Sequence, residues 1–212
     1  MRKRAIAMAA LTIGLLGGCA DAEAEPGGAG TTGEPWHDEV AAAAPAGTVG
    51  AGAPCPLPVT FGLADGWEAT PVEAPDPANE LGNAVAEALT RRGGSTVRCE
   101  LDGRAVVPGF LRVWTVDVAG TPARQALEAF VDAEEQVSEP QYRETRPGDL
   151  DVVEATWLAR RALTDSDVRE WALAVQLGDR TVLVEASTTS FGEPVEVLPA
   201  YRLARDTLTG SG

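Results

Sequence analysis

Cys19 is the first residue whose type and setting imply chemistry. Leu16-Gly17-Gly18-Cys19 sets two glycines directly before a thiol, at the end of a segment that begins with Arg2, Lys3 and Arg4 and runs through the apolar stretch Ala5 to Leu16. A positive start, a short apolar middle and small residues at the cut make an export signal, and a cysteine at the cut supplies a thiol that lipid attachment converts to a thioether. A plain cleaved signal explains the small residues but not the cysteine. A membrane span needs about 20 apolar residues, and the acidic positions from Asp21 onward end the run too early. The reading is a lipoprotein signal peptide at residues 1–18, a lipidated Cys19, and a mature protein on the outer face of the cytoplasmic membrane. Several fatty chains, each buried methylene contributing about 0.8 kcal/mol, hold such a protein firmly where one chain does not.

Two further thiols, Cys55 and Cys99, remain for an oxidising compartment, where such a pair usually becomes a disulfide. A redox or metal-binding pair is the alternative, and neither a CxxC spacing nor a partner histidine supports it. His37 is the only histidine, which argues against Ser-His-Asp and Cys-His catalysis and against His-rich zinc sites in the body of the chain. Lys3 is the only lysine and leaves with the signal, so amine nucleophiles and phosphate loops of the GxxxxGK[ST] type are excluded. Carboxylate pairs survive this filter, because no motif fixes their spacing. Glu134-Glu135, Asp149 with Asp151, and Glu154 are the members to consider, with a solvated surface position as the plainer account of each. Asp165-Ser166-Asp167 hints at calcium, but Glu170 stands where an EF-hand loop needs glycine. No metal site and no cofactor are expected.

Charge narrows the partners. The chain has 17 basic and 32 acidic residues, and loss of Arg2, Lys3 and Arg4 with the signal leaves 14 against 32. Nucleic acid, anionic headgroups and polyanionic wall polymers are repelled by that balance. The scarcity of lysine beside abundant alanine, glycine and proline reads as coding bias in a GC-rich bacterium.

The elements that must position these groups start after a tether. Residues 19–54 are rich in Ala, Gly, Pro and acid and have no lysine or arginine, a composition that cannot bury enough apolar surface to order itself. Within it, Trp36-His37 reads as an incidental aromatic. Residues 55–209 form one globular domain, with 210–212 a tail. Val59 to Leu63 opens as a strand that turns at Asp65-Gly66 so that Trp67 packs back. A helix runs from the cap Asp76 through Leu81, Val85 and Leu89 to Gly93-Gly94, and Cys99 follows it. A β segment spans Ala105 to Val118. A second helix is capped by Thr121, with Pro122 first and Ala126, Leu127, Phe130 and Val131 on one side. After a polar link through Glu139-Pro140 come strands Asp151 to Ala162, Arg169 to Leu177 and Thr181 to Thr188, the last two joined by the tight turn Gly178-Asp179. A helix over Pro199 to Thr209 closes the chain.

This order gives an α+β protein, an antiparallel β-sheet flanked by helices. The turn Leu63-Ala64-Asp65-Gly66-Trp67, the long strand before the Thr121-Pro122 helix, the Trp171 to Thr188 hairpin and the closing helix together resemble the PsbP-like fold of LpqN-type actinobacterial lipoproteins. The resemblance covers roughly residues 57 to 209. It implies an α/β/α sandwich and a non-enzymatic surface lipoprotein, and supplies no catalytic residue.

Trp114, Trp157 and Trp171 all fall in strands. They either fill the core or, with Arg160 and Arg161, line a surface for a ligand or partner. The functional expectation is a membrane-anchored binding or scaffolding module without enzymatic activity, whose partners are the membrane through its lipid and an envelope protein or small ligand. The alternatives are a carboxylate-dependent envelope hydrolase and an accessory substrate-capturing subunit of a transporter.

The lipid anchor is directly testable. Cys19→Ala is expected to release the protein into the medium or leave it unprocessed, as read by metabolic fatty-acid labelling and cell fractionation. Normal processing and retention of this variant would contradict lipidation at Cys19.

Overall fold

A computed structural model describes residues 35–50, 52, 54–73, 86–161, 163–189 and 192–211. The signal segment, Cys19, the first part of the tether and most of the helix expected from Asp76 lie outside these residues. Among the described residues, no helix is long and apolar enough to cross a membrane.

The elements follow in the order β1 (Pro45–Val49), β2 (Val59–Ala64), β3 (Glu68–Pro71), a helical stretch at 86–90, β4 (Arg91–Arg92), β5 (Ser95–Asp102), β6 (Gly109–Val116), α1 (Ala123–Asp132), β7 (Ser138–Thr145), β8 (Val152–Arg161), β9 (Ser166–Leu177), β10 (Arg180–Thr188), a 3-10 turn (Pro194–Val197), α2 (Leu198–Asp206) and β11 (Thr209–Gly210). The main sheet has the order β3-β5-β6-β10-β9-β8-β7, with β4 added beside β5, and β1-β2-β11 form a small second sheet. All its pairings are antiparallel.

The alternation of side chains in β9 shows how the layers form. Trp171, Leu173 and Val175 point to one core with Val182 and Val184 of β10, where α2 and the small sheet cover them. Ala172 and Ala174 point to the other core, beneath Leu127, Phe130 and Val131 of α1. Period-two alternation puts the bulky set on one side and alanine on the other, and alanine leaves room for the Phe130 ring. The central strands are therefore buried on both faces, and helices lie on both. This is the expected α+β class.

The sequence-based boundaries hold for β2, β8, β9 and β10 to within three residues, and for the Gly178 turn, where φ is 61°. Trp67 packs into the core as expected. Several elements differ. Thr121 does not cap α1: Pro122 holds the N-cap position, Thr121 Oγ1 donates to the Val118 carbonyl, and the Thr121 carbonyl accepts from Thr181 Oγ1. Cys99 lies inside β5, whose buried positions Ser95, Val97, Cys99 and Leu101 alternate with more accessible ones. The segment Glu139-Pro140 belongs to β7, which occupies one edge of the sheet. An edge strand tolerates proline and polar residues because one side of its backbone faces no partner strand, so β7 looks like a loop in sequence.

The largest correction concerns the tether. Among the described residues the folded body reaches back past Cys55 to Pro35. Trp36 and Val40 pack against the core, Ala43 N donates to the Pro199 carbonyl at 2.8 Å, and β1 pairs with β2. The buried Arg202 of α2 donates through Nη2 to the carbonyls of Trp36 at 2.7 Å and His37 at 2.8 Å. Trp171 Nε1 donates to the Pro35 carbonyl at 2.8 Å. A composition poor in large apolar residues says nothing about main-chain acceptors, and here distant donors order the segment through them. Cys55 and Cys99, both fully buried, are joined in a disulfide with Cα atoms 5.8 Å apart, tying the approach to β2 to β5.

The described residues between 35 and 54 thus form a strap that the core requires. A chain starting at Pro35 keeps all the contacts described above and serves as the reference. One starting at Cys55 leaves the Arg202 charge buried without its carbonyls and is expected to lose about 3–5 kcal/mol, measured by urea unfolding under oxidising conditions. Equal midpoints would contradict the strap contacts.

Candidate functional site

The α1 face of the sheet ends in a group of charged side chains brought together from four separate segments. Arg92 comes from β4, held by its pairing with Ser95. The turn after it, Gly93-Gly94, has φ of 55° and 75°. A side chain on Gly93 would collide with the Ala129 and Phe130 backbone, so glycine lets this turn press against α1. That approach lays the Arg92 guanidinium over the Phe130 ring, 4.0 Å from its centroid, while Nε donates to the Phe130 carbonyl at 3.0 Å.

The two terminal nitrogens of Arg92 then bridge carboxylates. Nη1 meets Glu185 of β10 at 2.7 Å and Nη2 meets Glu134, just past α1, at 2.6 Å. The second oxygen of Glu185 accepts from Trp114 Nε1 at 3.2 Å. Glu170 of β9 completes the group, and one carboxylate oxygen from each of Glu134, Glu170 and Glu185 lies within 4.8 Å of the others. Glu170 sits opposite Trp157 in the β8–β9 register, and Glu185 opposite both Ala172 and Arg112.

Electrostatics follow from this crowding. Burial is the largest influence on Glu170 and, with the nearby Glu185 and Glu134, pushes its carboxyl up to about 8 against partial relief from Arg92 and Arg161. Burial likewise raises Glu134, opposed by Arg92 and reinforced by Glu185 and Glu135. Glu170 is therefore largely neutral at pH 7, leaving two carboxylates for Arg92 to balance. A cavity of about 420 Å³ opens beside the group and is lined by Leu89, Arg91, Arg112, Trp114, Glu134, Glu135 and Glu185 among others.

The chemistry open to this arrangement is limited by Arg92. Three oxygens within 4.8 Å match the span of a divalent ion's ligands, but the guanidinium already bridges two of the three carboxylates. The same span is near the separation used by retaining glycosidases, and again Arg92 and Trp114 engage Glu185 while Arg92 engages Glu134. The group reads as an arginine-centred carboxylate cluster that borders a cavity.

A second charged network lies on the opposite face. Glu154, with its side chain 1% exposed, accepts from Tyr201 Oη at 3.1 Å and Arg143 Nε at 3.0 Å, and Arg205 is 3.6 Å away. Burial, then Glu154, pushes the Tyr201 phenol well up. Arg143 continues to Asp38 at 2.8 Å and stacks over Trp36, 4.2 Å from a ring centroid. Its role is to hold the strap.

The residues singled out in the sequence are dispersed. Trp114 and Trp157 belong to the α1-side core and Trp171 to the opposite one, all buried, so the three indoles share no wall and form no exposed ligand surface. Only Trp114 reaches the cavity. Arg160 pairs with Asp165 at 2.7 Å and Asp167 at 3.2 Å. Arg161 donates to the Gly192 carbonyl and to Thr188 Oγ1. Asp149 and Asp151 border a separate hollow of about 570 Å³ with Glu144, and Asp151 meets Arg146 at 3.1 Å. Glu134 is drawn into the cluster, whereas its neighbour Glu135 is exposed. Glu154 is buried instead of solvated. His37 lies on the body, its ring edge-on to Trp171 with centroids 5.9 Å apart and Nδ1 3.2 Å from Glu39.

Sequence reasoning missed Arg92 and Glu185 and gave Glu170 no role. The available signal was a glutamate on an otherwise small or apolar face, Glu170 before Ala172 and Ala174, and Glu185 after Leu183. Arg92→Met keeps much of the stem but leaves Glu134 and Glu185 without their cation. It is expected to cost about 3–5 kcal/mol of unfolding free energy, measured by urea denaturation, and a loss below about 1 kcal/mol would show that the cluster is not a structural clamp.

Comparison with curated proteins yields no match to this chain. Among solved structures, the solution structure of cyanobacterial PsbP (CyanoP) from Synechocystis sp. PCC 6803 is similar at 10% identity and a TM-score of 0.49, covering 73% of this chain and 87% of that one. A crystal structure from Bacteroides thetaiotaomicron VPI-5482 is similar at 11% identity and a TM-score of 0.42, covering 73% of this chain and 46% of that one. The fold class rests on this chain's own strand order and layers. A family model described as uncharacterised lipoprotein matches residues 26–208, from before the strap to the end of α2, and the chain belongs to that family.

Proposed function

We propose that this lipoprotein is an LpqN-type protein of an actinobacterium, held by Cys19 on the outer face of the cytoplasmic membrane, and that it works as a non-enzymatic binding or scaffolding module. The observation that carries the reading is the state of the clustered acids. Arg92 and Trp114 engage Glu134 and Glu185, and Arg143, Arg205 and Tyr201 engage Glu154. Acids fixed in this way shape and charge a surface but are poor at delivering protons or attacking a substrate. The cavity beside Arg92 supplies the concave surface, with Trp114, Leu89 and charges of both signs.

The strap supports a role close to the membrane. Fifteen residues separate Cys19 from Pro35, so the body stands no more than about 60 Å from its anchor even at full extension. A transporter subunit that captures substrate by closing two lobes has no counterpart here, since the described residues form one compact unit.

A carboxylate hydrolase is the second reading, favoured by the 4.8 Å grouping of Glu134, Glu170 and Glu185. Purified mature protein is expected to release no reducing ends from envelope glycans beyond those released by Glu185→Gln. Release by the wild type that disappears in a folded Glu185→Gln protein would overturn the non-enzymatic reading. For binding, a photo-crosslinker at Leu89, 63% exposed on the cavity rim, is expected to capture a recurrent ligand or neighbour in cells. One at Val118, 69% exposed and outside the cavity lining, is not. Identical capture from the two positions would remove the cavity from consideration.

A further inference from the structure

Arg92 and the three glutamates do more than neutralise one another, because they tie the end of α1 to the sheet, which no strand pairing does. Glu134 follows the C-terminal end of α1, Arg92 lies beside the turn pressed against that helix, and Glu170 and Glu185 stand on adjacent strands of the sheet beneath. The salt bridges of 2.6 and 2.7 Å through Arg92 therefore fix the helix end and the β4 turn to the sheet, on the rim of the 420 Å³ cavity.

The charges facing Glu170 can be named element by element. Glu185 comes from β10, Glu134 from the segment after α1, with Glu135 beside it acting on Glu134, Arg92 from β4 and Arg161 from β8. While Glu170 is neutral, Arg92 bridges Glu134 and Glu185. An ionised Glu170 would be a third negative group within 4.8 Å of the other two, and at that range like charges repel strongly in a partly buried setting. Glu134, with a side chain 27% exposed against 4% for Glu185, is the carboxylate with room to leave.

We propose that these four residues form a proton-operated latch: with Glu170 neutral, Arg92 holds Glu134 and Glu185 together and closes the α1 end on the sheet, and when Glu170 ionises the Glu134 arm releases and the cavity widens. The inference goes beyond the binding reading and does not depend on it, since the latch is observable in the protein alone.

The sign of the pH dependence follows from linkage. The closed state keeps the Glu170 proton up to about pH 8, whereas an open or unfolded state loses it near the ordinary value of 4.5. The closed form is therefore most favoured at and below that ordinary value and is progressively weakened as pH rises toward 8, with no further change from this group above it.

Hydrogen exchange followed by mass spectrometry on the full mature protein in detergent micelles tests this, with Glu170→Gln as the reference at each pH. For peptides covering 91–94 and 129–135, the wild-type opening constant relative to this variant is expected to rise about tenfold per pH unit between pH 5 and 8 and then level off. Glu134→Gln removes one of the repelling carboxylates and is expected to bring the levelling-off to lower pH. A wild-type to Glu170→Gln ratio that stays constant from pH 5 to 9 overturns the latch. Should Glu170→Gln fail to fold, coincident profiles of the wild type and Glu134→Gln overturn it instead.

Discussion

Burial of β8, β9 and β10 on both faces governs the rest of this structure. A strand covered on one side can turn a charged residue to water, but a strand covered on both has no such exit, and an uncompensated charge there costs several kcal/mol. Glu154 on β8 and Glu185 on β10 occupy these positions, and each is met by arginine and by an aromatic donor, Tyr201 in one case and Trp114 in the other. Glu170 on β9 has Arg92 and Arg161 nearby, but burial, with Glu185 and Glu134, outweighs them and keeps it largely protonated. The two remedies, pairing and neutralisation, thus stand side by side in one sheet.

The networks on the two faces have different consequences. On the α2 face, Arg143 and Arg202 reach beyond the sheet to Trp36, His37 and Asp38 while Arg205 stays beside Glu154, so the charges there fasten the end of the chain that leads to Cys19. On the α1 face, Arg92 joins a helix end and a glycine turn to the sheet next to an open cavity. The strongly acidic whole-chain balance describes neither, because the fold gathers arginine where acids are buried and leaves much of the excess negative charge on the surface. Long-range repulsion of polyanions and local attraction within these clusters therefore coexist.

Much of the fold was legible in sequence because the signal was local. The apolar stripe Ala126, Leu127, Phe130 and Val131 marks α1, and the alternation from Trp171 to Val175 with the Gly178-Asp179 turn marks the β9–β10 hairpin. β7 was hidden because an edge strand carries polar residues and Pro140. β5 was hidden behind an expected helix, although its alternation of Ser95, Val97, Cys99 and Leu101 was present. Of the candidate site, Glu134 was noticed for its charge, while Arg92 and Glu185 were not. They stand 93 residues apart, and no local pattern announces a pair at that distance.

By itself, the sequence determined the two glycines set before Cys19, the α+β class and the pairing of Cys55 with Cys99, because each depends on residue type and near spacing. Tertiary structure alone decided that Pro35 to Pro54 belong to the folded body, that the three indoles divide between two cores, and that Arg92 gathers Glu134 and Glu185 beside Glu170. Those outcomes depend on which distant donors meet which acceptors once the sheet is covered on both sides, and that meeting is set by packing rather than by the order of residues along the chain.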